Sequence, residues 1–138
     1  MISVKVLNAE EVARALEEKG VKARIAMQQG LREAAMLVER EAKLNITRGR
    51  PEWPPLKPET IKRKGSSKAL IDTGTLRASI THKVHSNYAE VGPFGVKYAV
   101  FQEYGTRYIP PRPFLRPALY ENVKRIKEII KRKLRAVV

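Results

Sequence analysis

The chain has 138 residues and a net charge of +14, from 28 Lys and Arg against 14 Asp and Glu. Hydrophobic residues make up 43% and charged residues 30%, so a single domain with a folded core is expected. The absence of cysteine excludes disulfides and thiolate chemistry.

The opening segment, MISVKVLNAEEVARALEE, has no apolar run long enough for a signal peptide or a membrane span. A soluble protein with no membrane partner is therefore expected. SVKVL alternates and predicts a short first strand. Asn8 is a candidate N-cap for a helix with Glu10 and Glu11 in its first turn, where the helix dipole favours acids. Apolar and small residues continue at Ala23, Ala26, Met27, Gly30, Leu31, Ala34, Leu37, Val38, Ala42 and Leu44. Their spacing is near 3.6, which predicts one long helix or two nearly continuous ones. Gly20 is the expected break. Gly30 is the expected point of close approach by another element.

NITRGRPEWPPLKPETIKRKGSSKAL follows. Pro51, Pro54, Pro55 and Pro58 exclude regular structure around Trp53, so residues 46–68 read as a long extended loop. Trp53 is expected to pin that loop to the domain. In ALIDTGTLRASITHKV, Asp72, Thr73 and Gly74 form a turn or helix start, and Leu76 leads into an alternating segment. SITHKVH, YAEVGPF and VKYAVFQ read as short runs of a meander or a hairpin pair. Gly105 and Thr106 predict a turn, and Pro110, Pro111 and Pro113 an extended segment. Pro117 opens a last, amphipathic helix over residues 117–138. Leu119, Val123, Ile126, Ile130 and Leu134 line one face of it. The fold class is α+β: a long N-terminal helix and a basic C-terminal helix packed on a small, mostly antiparallel sheet, with a long Pro-rich loop, in one domain spanning residues 1–138.

The residues carry no enzyme signature. His82 and His85 would point to opposite faces of a strand and have no cysteine or acidic cluster beside them, so a shared metal is not expected. Ser79 and Thr81 lack a His–Asp pair at recognisable spacing. Asp72 is better explained as a cap, and Glu103 as the partner of a nearby arginine. GTRYIPPRPF lacks the lysine and helix start of a phosphate loop. Tyr98, Phe101, Tyr104, Tyr108 and Phe114 have the composition to stack bases. They are more simply a core and interface cluster beneath the proline segment.

The charge favours a polyanionic partner, either nucleic acid or an acidic protein surface. Lys124, Lys127, Lys131, Arg132 and Arg135 on the last helix are the candidate contacts to a phosphate backbone. A sequence-independent nucleic-acid-binding module is one reading.

WPPLKPETIKRKG, LIDTGTLRASI and YAVFQEYGTRYIPPRPFLRPAL, in that order over residues 53–119, resemble the phage virion morphogenesis proteins. That group holds the tail-completion proteins of Mu-like phages and the head–tail joining proteins of long-tailed phages. The resemblance implies a non-enzymatic virion protein without a cofactor, made in the host cytoplasm. It would sit at the head–tail neck among other neck and tail proteins. It also implies a homo-oligomeric ring, commonly sixfold, around the channel that DNA crosses. Trp53 would then be a fold or contact position, and Asp72, Thr73, Gly74 and Leu76 would turn the chain from the long loop into the sheet. Tyr98, Phe101, Glu103, Gly105 and Thr106 match the second motif, and Pro113, Phe114 and Pro117 the third. The positive charge would serve a DNA-lined channel, an acidic docking surface, or a host rich in Lys and Arg.

Overall fold

A computed structural model describes residues 4–7, 17, 20–55 and 74–137. The elements are β1 (Val4–Leu7), α1 (Val21–Arg48), α2 (Thr75–Ser79), β2 (Ile80–Val84), β3 (Tyr88–Pro93), α3 (Ala99–Tyr104), α4 (Arg116–Tyr120) and α5 (Val123–Arg135). The fold is α+β, as the hydrophobic periodicities predict. The expected Asn8 cap, the helix it opens, the turn through ETIKRK, Asp72 and Thr73 lie outside the described residues.

The sheet is antiparallel with β3 in the centre, β1 on one side and β2 on the other. Ile80, His82 and Val84 register with Pro93, Val91 and Ala89. Strand alternation puts these on one face, and Ile80, Ala89 and Val91 are buried there against α1. His82 marks the same face: its Nδ1 lies 3.1 Å from Glu39 Oε1 on α1. Thr81 and Lys83 point the other way and are exposed.

α1 buries a broad stripe from Ala23 to Ile46, because it meets the sheet on one side and α5 on another. Glu33 pairs with Arg132 and Lys133, while Glu41 lies beside Arg125, so α1 and α5 run antiparallel. Gly30 allows the close crossing. A Cβ there would sit 3.3 Å from the Ile130 Cα, tighter than side chains normally tolerate. Gly20, with φ +61°, precedes α1 directly; the helical stretch expected before it lies outside the described residues.

The structure corrects the sequence reading in three places. The loop begins at Gly49 rather than at residue 46, because α1 continues through Asn45, Ile46 and Thr47. These are modest helix formers, but Ile46 is fully buried and Asn45 Nδ2 donates to Phe114 O at 2.8 Å, so tertiary packing overrides propensity. VKYAVFQ is not a third meander strand; its second half forms α3. The helix of residues 117–138 is divided in two. Asn122 Nδ2 bonds Ala118 O at 2.8 Å, and the backbone turns there before α5 starts.

Candidate assembly surface

α3 has an unusual inner face. Ala99 and Glu103, one turn apart, point inward, and the Glu103 side chain is 0% exposed. Its Oε1 accepts the backbone N–H groups of Phe114 at 2.9 Å and Leu115 at 3.0 Å. Its Oε2 accepts Arg116 N and Arg116 Nε, each at 3.0 Å. Arg116 Nη2 also donates to the Glu103 carbonyl at 3.1 Å. The carboxylate thus satisfies the open N–H groups at the start of α4, where the helix dipole favours a negative charge. Burying a bare carboxylate would be costly; these charge-assisted bonds offset that cost. The expected arginine partner of Glu103 is Arg116.

The chain between α3 and α4 is held along its length. Gly105 has φ +76°, and a Cβ on it would lie 2.8 Å from both Pro111 Cδ and Pro111 N. Thr106 N donates to Ile109 O at 2.8 Å, and Thr106 Oγ1 accepts Tyr108 N and Ile109 N at 3.1 Å. Arg112 N returns to Gln102 O at 2.8 Å. The mostly buried Arg112 guanidinium donates to Pro54 O at 3.0 and 2.8 Å and reaches Pro55 O at 3.4 Å. Burial pushes its pKa below the ordinary arginine value.

Trp53 is buried and its Nε1 donates to Pro113 O at 3.0 Å, so it pins the loop as predicted. Arg50 connects the same corner to α1 and α4. It bonds Asn45 Oδ1 at 3.0 Å and pairs with both Glu52 and Glu121. The two proline-rich segments lack the N–H groups for a strand ladder, so Trp53 and Arg112 bond their carbonyls instead.

The aromatic cluster divides differently from the expectation. Phe114 is in the core. Tyr98, Phe101, Tyr104 and Tyr108 are not beneath the proline segment; they are 43%, 49%, 56% and 86% exposed. Val100 is also exposed. The Arg116 guanidinium lies 4.5 Å from the Tyr104 ring centre, and Arg107 sits over Tyr108.

Among the other motif positions, Leu76 is buried, Gly74 caps α2, Thr106 is exposed, Pro113 is half-buried and Pro117 lies in the first turn of α4. Asp72 lies outside the described residues. Asn45, Arg50 and Arg112 were missed as positioning residues. The available signal was Arg112 itself, a cation enclosed by Pro110, Pro111 and Pro113 with little backbone hydrogen bonding nearby.

Lys124, Lys127, Lys131 and Arg135 recur at three- and four-residue intervals and form one ridge along α5. None of the four has an ionic partner among the described residues. Arg132 lies off this ridge and is paired with Glu33 at 2.8 Å. Among the described residues, no three His, Asp or Glu side chains gather as a metal site would require, and no helix is long and apolar enough to cross a membrane.

Residues 10–105 match the HK97-gp10-like family, described as "Bacteriophage HK97-gp10, putative tail-component". The chain belongs to this family. HK97-gp10-like membership makes it a structural phage tail component, in the virion and among other tail proteins. The match includes α1, β2, β3 and α3 with Glu103, and ends at Gly105, before the proline segment and α5. No curated protein and no solved structure matches the chain.

Proposed function

We propose that this chain is the tail component that completes the tail or joins it to the head, as a ring subunit around the DNA channel. It acts as a non-enzymatic scaffold. The observation that carries the reading is the family match over residues 10–105; the resemblance of the ordered motifs over 53–119 to tail-completion and head–tail joining proteins supports the neck position. The clamp around Glu103, Trp53 and Arg112 supports a structural role: it spends the buried polar groups on holding a surface loop in one shape. A heterologous contact with closed rotation would build the ring. The unpaired ridge of Lys124, Lys127, Lys131 and Arg135 would face the lumen and meet phosphates without reading bases.

The test is deletion of the gene from its phage, followed by electron microscopy of the lysate. Filled heads lying apart from tails, or tails of uncontrolled length, are expected. Intact, infectious particles would overturn the reading. The basic ridge also favours a second reading, a free sequence-independent DNA-binding module. That reading requires affinity to fall steeply with salt and to vanish when Lys127, Lys131 and Arg135 are replaced by Glu.

A further inference from the structure

α3 is amphipathic the wrong way round for a surface helix. Its inner side presents Ala99 and the carboxylate of Glu103, and its outer arc presents Tyr98, Val100, Phe101 and Tyr104. Tyr108 continues this face from the loop tip. Folding of the isolated chain gains nothing by exposing four large apolar side chains on so short a helix and the residue that precedes it. Arrays of this kind on soluble proteins mark interaction sites, and Tyr, Phe and Arg are the side chains enriched at interface centres.

The charges select the partner. Between Phe94 and Tyr120 the sole acidic residue is Glu103, which is fully buried, so the accessible charges are those of Lys97, Arg107 and Arg116. A complementary surface is acidic and apolar. A second copy of this chain is a poor source of one. Every described carboxylate except Glu17, Glu90 and Glu128 already lies beside a Lys or Arg, and the chain carries +14.

We propose that the outer face of α3 and the Tyr108 loop form a preorganised docking surface for a different virion protein, which presents carboxylates around an aliphatic patch. The proposal rests on membership of the tail-component family and not on the neck position. The loop is already fixed by Gly105, Thr106 and Arg112, so docking requires little further ordering.

Site-specific photocrosslinking during phage assembly tests this. The photoreactive amino acid p-benzoylphenylalanine replaces Tyr108 or Phe101, and Lys127 as a control on the opposite feature. Products are read in whole lysates, whether or not particles mature. The expected result is one heterologous product from positions 108 and 101, absent from 127. Its linked peptide in the partner carries Asp or Glu beside Leu, Ile or Val. The product should fall at least tenfold in the Lys97→Glu, Arg107→Glu double variant, with the melting temperature of the purified chain unchanged. Cross-links to a second copy, cross-links to DNA, no product, or a product indifferent to the charge reversal would each overturn the proposal. A heterologous product from a tail protein remote from the neck would uphold it while contradicting the neck assignment.

Discussion

Arg116 is bound to Glu103 through its backbone amide, its Nε and its Nη2, at 3.0, 3.0 and 3.1 Å. The start of α4 and the end of α3 are therefore one hydrogen-bonded unit. Glu103→Gln keeps the shape but replaces one acceptor oxygen with a donor that faces other donors, and it leaves Arg116 without a counter-charge. A loss of about 3 kcal/mol is expected, within the range for breaking a buried ion pair from one side. Arg116→Ala should cost less, because three backbone amides still bond the carboxylate. Urea unfolding of the three proteins at equal ionic strength measures both differences.

Gly105→Ala should be among the most damaging single-methyl changes in the chain. The backbone at this position (φ +76°, ψ 172°) is essentially reserved for glycine, and the new Cβ would meet Pro111 and the Ile109 carbonyl. We expect a loss of roughly 2–4 kcal/mol from strain and overpacking together. Thr106→Ala, which removes only the side-chain acceptor for Tyr108 N and Ile109 N, should cost about 1 kcal/mol. Thermal melts followed by circular dichroism separate the two.

Gly30→Val tests the crossing of α1 and α5. The first carbon already lies 3.3 Å from Ile130 Cα, so a branched side chain must push α5 away. The expected destabilisation is about 1–3 kcal/mol. Hydrogen exchange should show faster opening of the Ile126, Ile130 and Leu134 amides, with β2 and β3 less affected.

Trp53 is the sole tryptophan and reports on its own corner. Its emission should be blue-shifted in the folded chain and move to the red on unfolding. Trp53→Phe removes the donor to Pro113 O and should cost about 1–2 kcal/mol. Trp53→Ala should cost about 3–5 kcal/mol.

Glu52 makes stability fall in acid. The hydrogen bond from Arg50 holds its carboxyl below the ordinary value of 4.5. A depressed folded-state pKa means that the unfolded chain binds the proton first. The stabilisation is thus present above 4.5 and is lost as pH falls through the lower, folded value. Melting temperatures from pH 7 to pH 3 should drop less steeply in Glu52→Gln than in the parent chain. Because Glu52 is half-exposed, 0.5 M salt should blunt the difference.

Periodicity alone determined the α+β class, the long helix Val21–Arg48, the strands Ile80–Val84 and Tyr88–Pro93, and the amphipathic stripe through Ile126, Ile130 and Leu134. It did so because burial selects residues at intervals of 3.6 or 2. Trp53 as an anchor was also legible, since a large ring in a proline-rich loop has few other ways to be covered. Tertiary structure decided what local preference could not. VKYAVFQ has strand composition, and a strand would put Phe101 on the same face as Ala99 and Glu103; the helical turn of α3 keeps Ala99 and Glu103 inward, with the carboxylate on the amides of Phe114 to Arg116, and separates Phe101 from them. The same turn rotates Tyr98, Val100, Phe101 and Tyr104 outward. An aromatic residue reads as core in any hydropathy pattern. Which aromatics are covered depends on distant parts of the chain: Phe114 joins the core shared by α1 and the sheet, and the Trp53 Nε1 donates to Pro113 O.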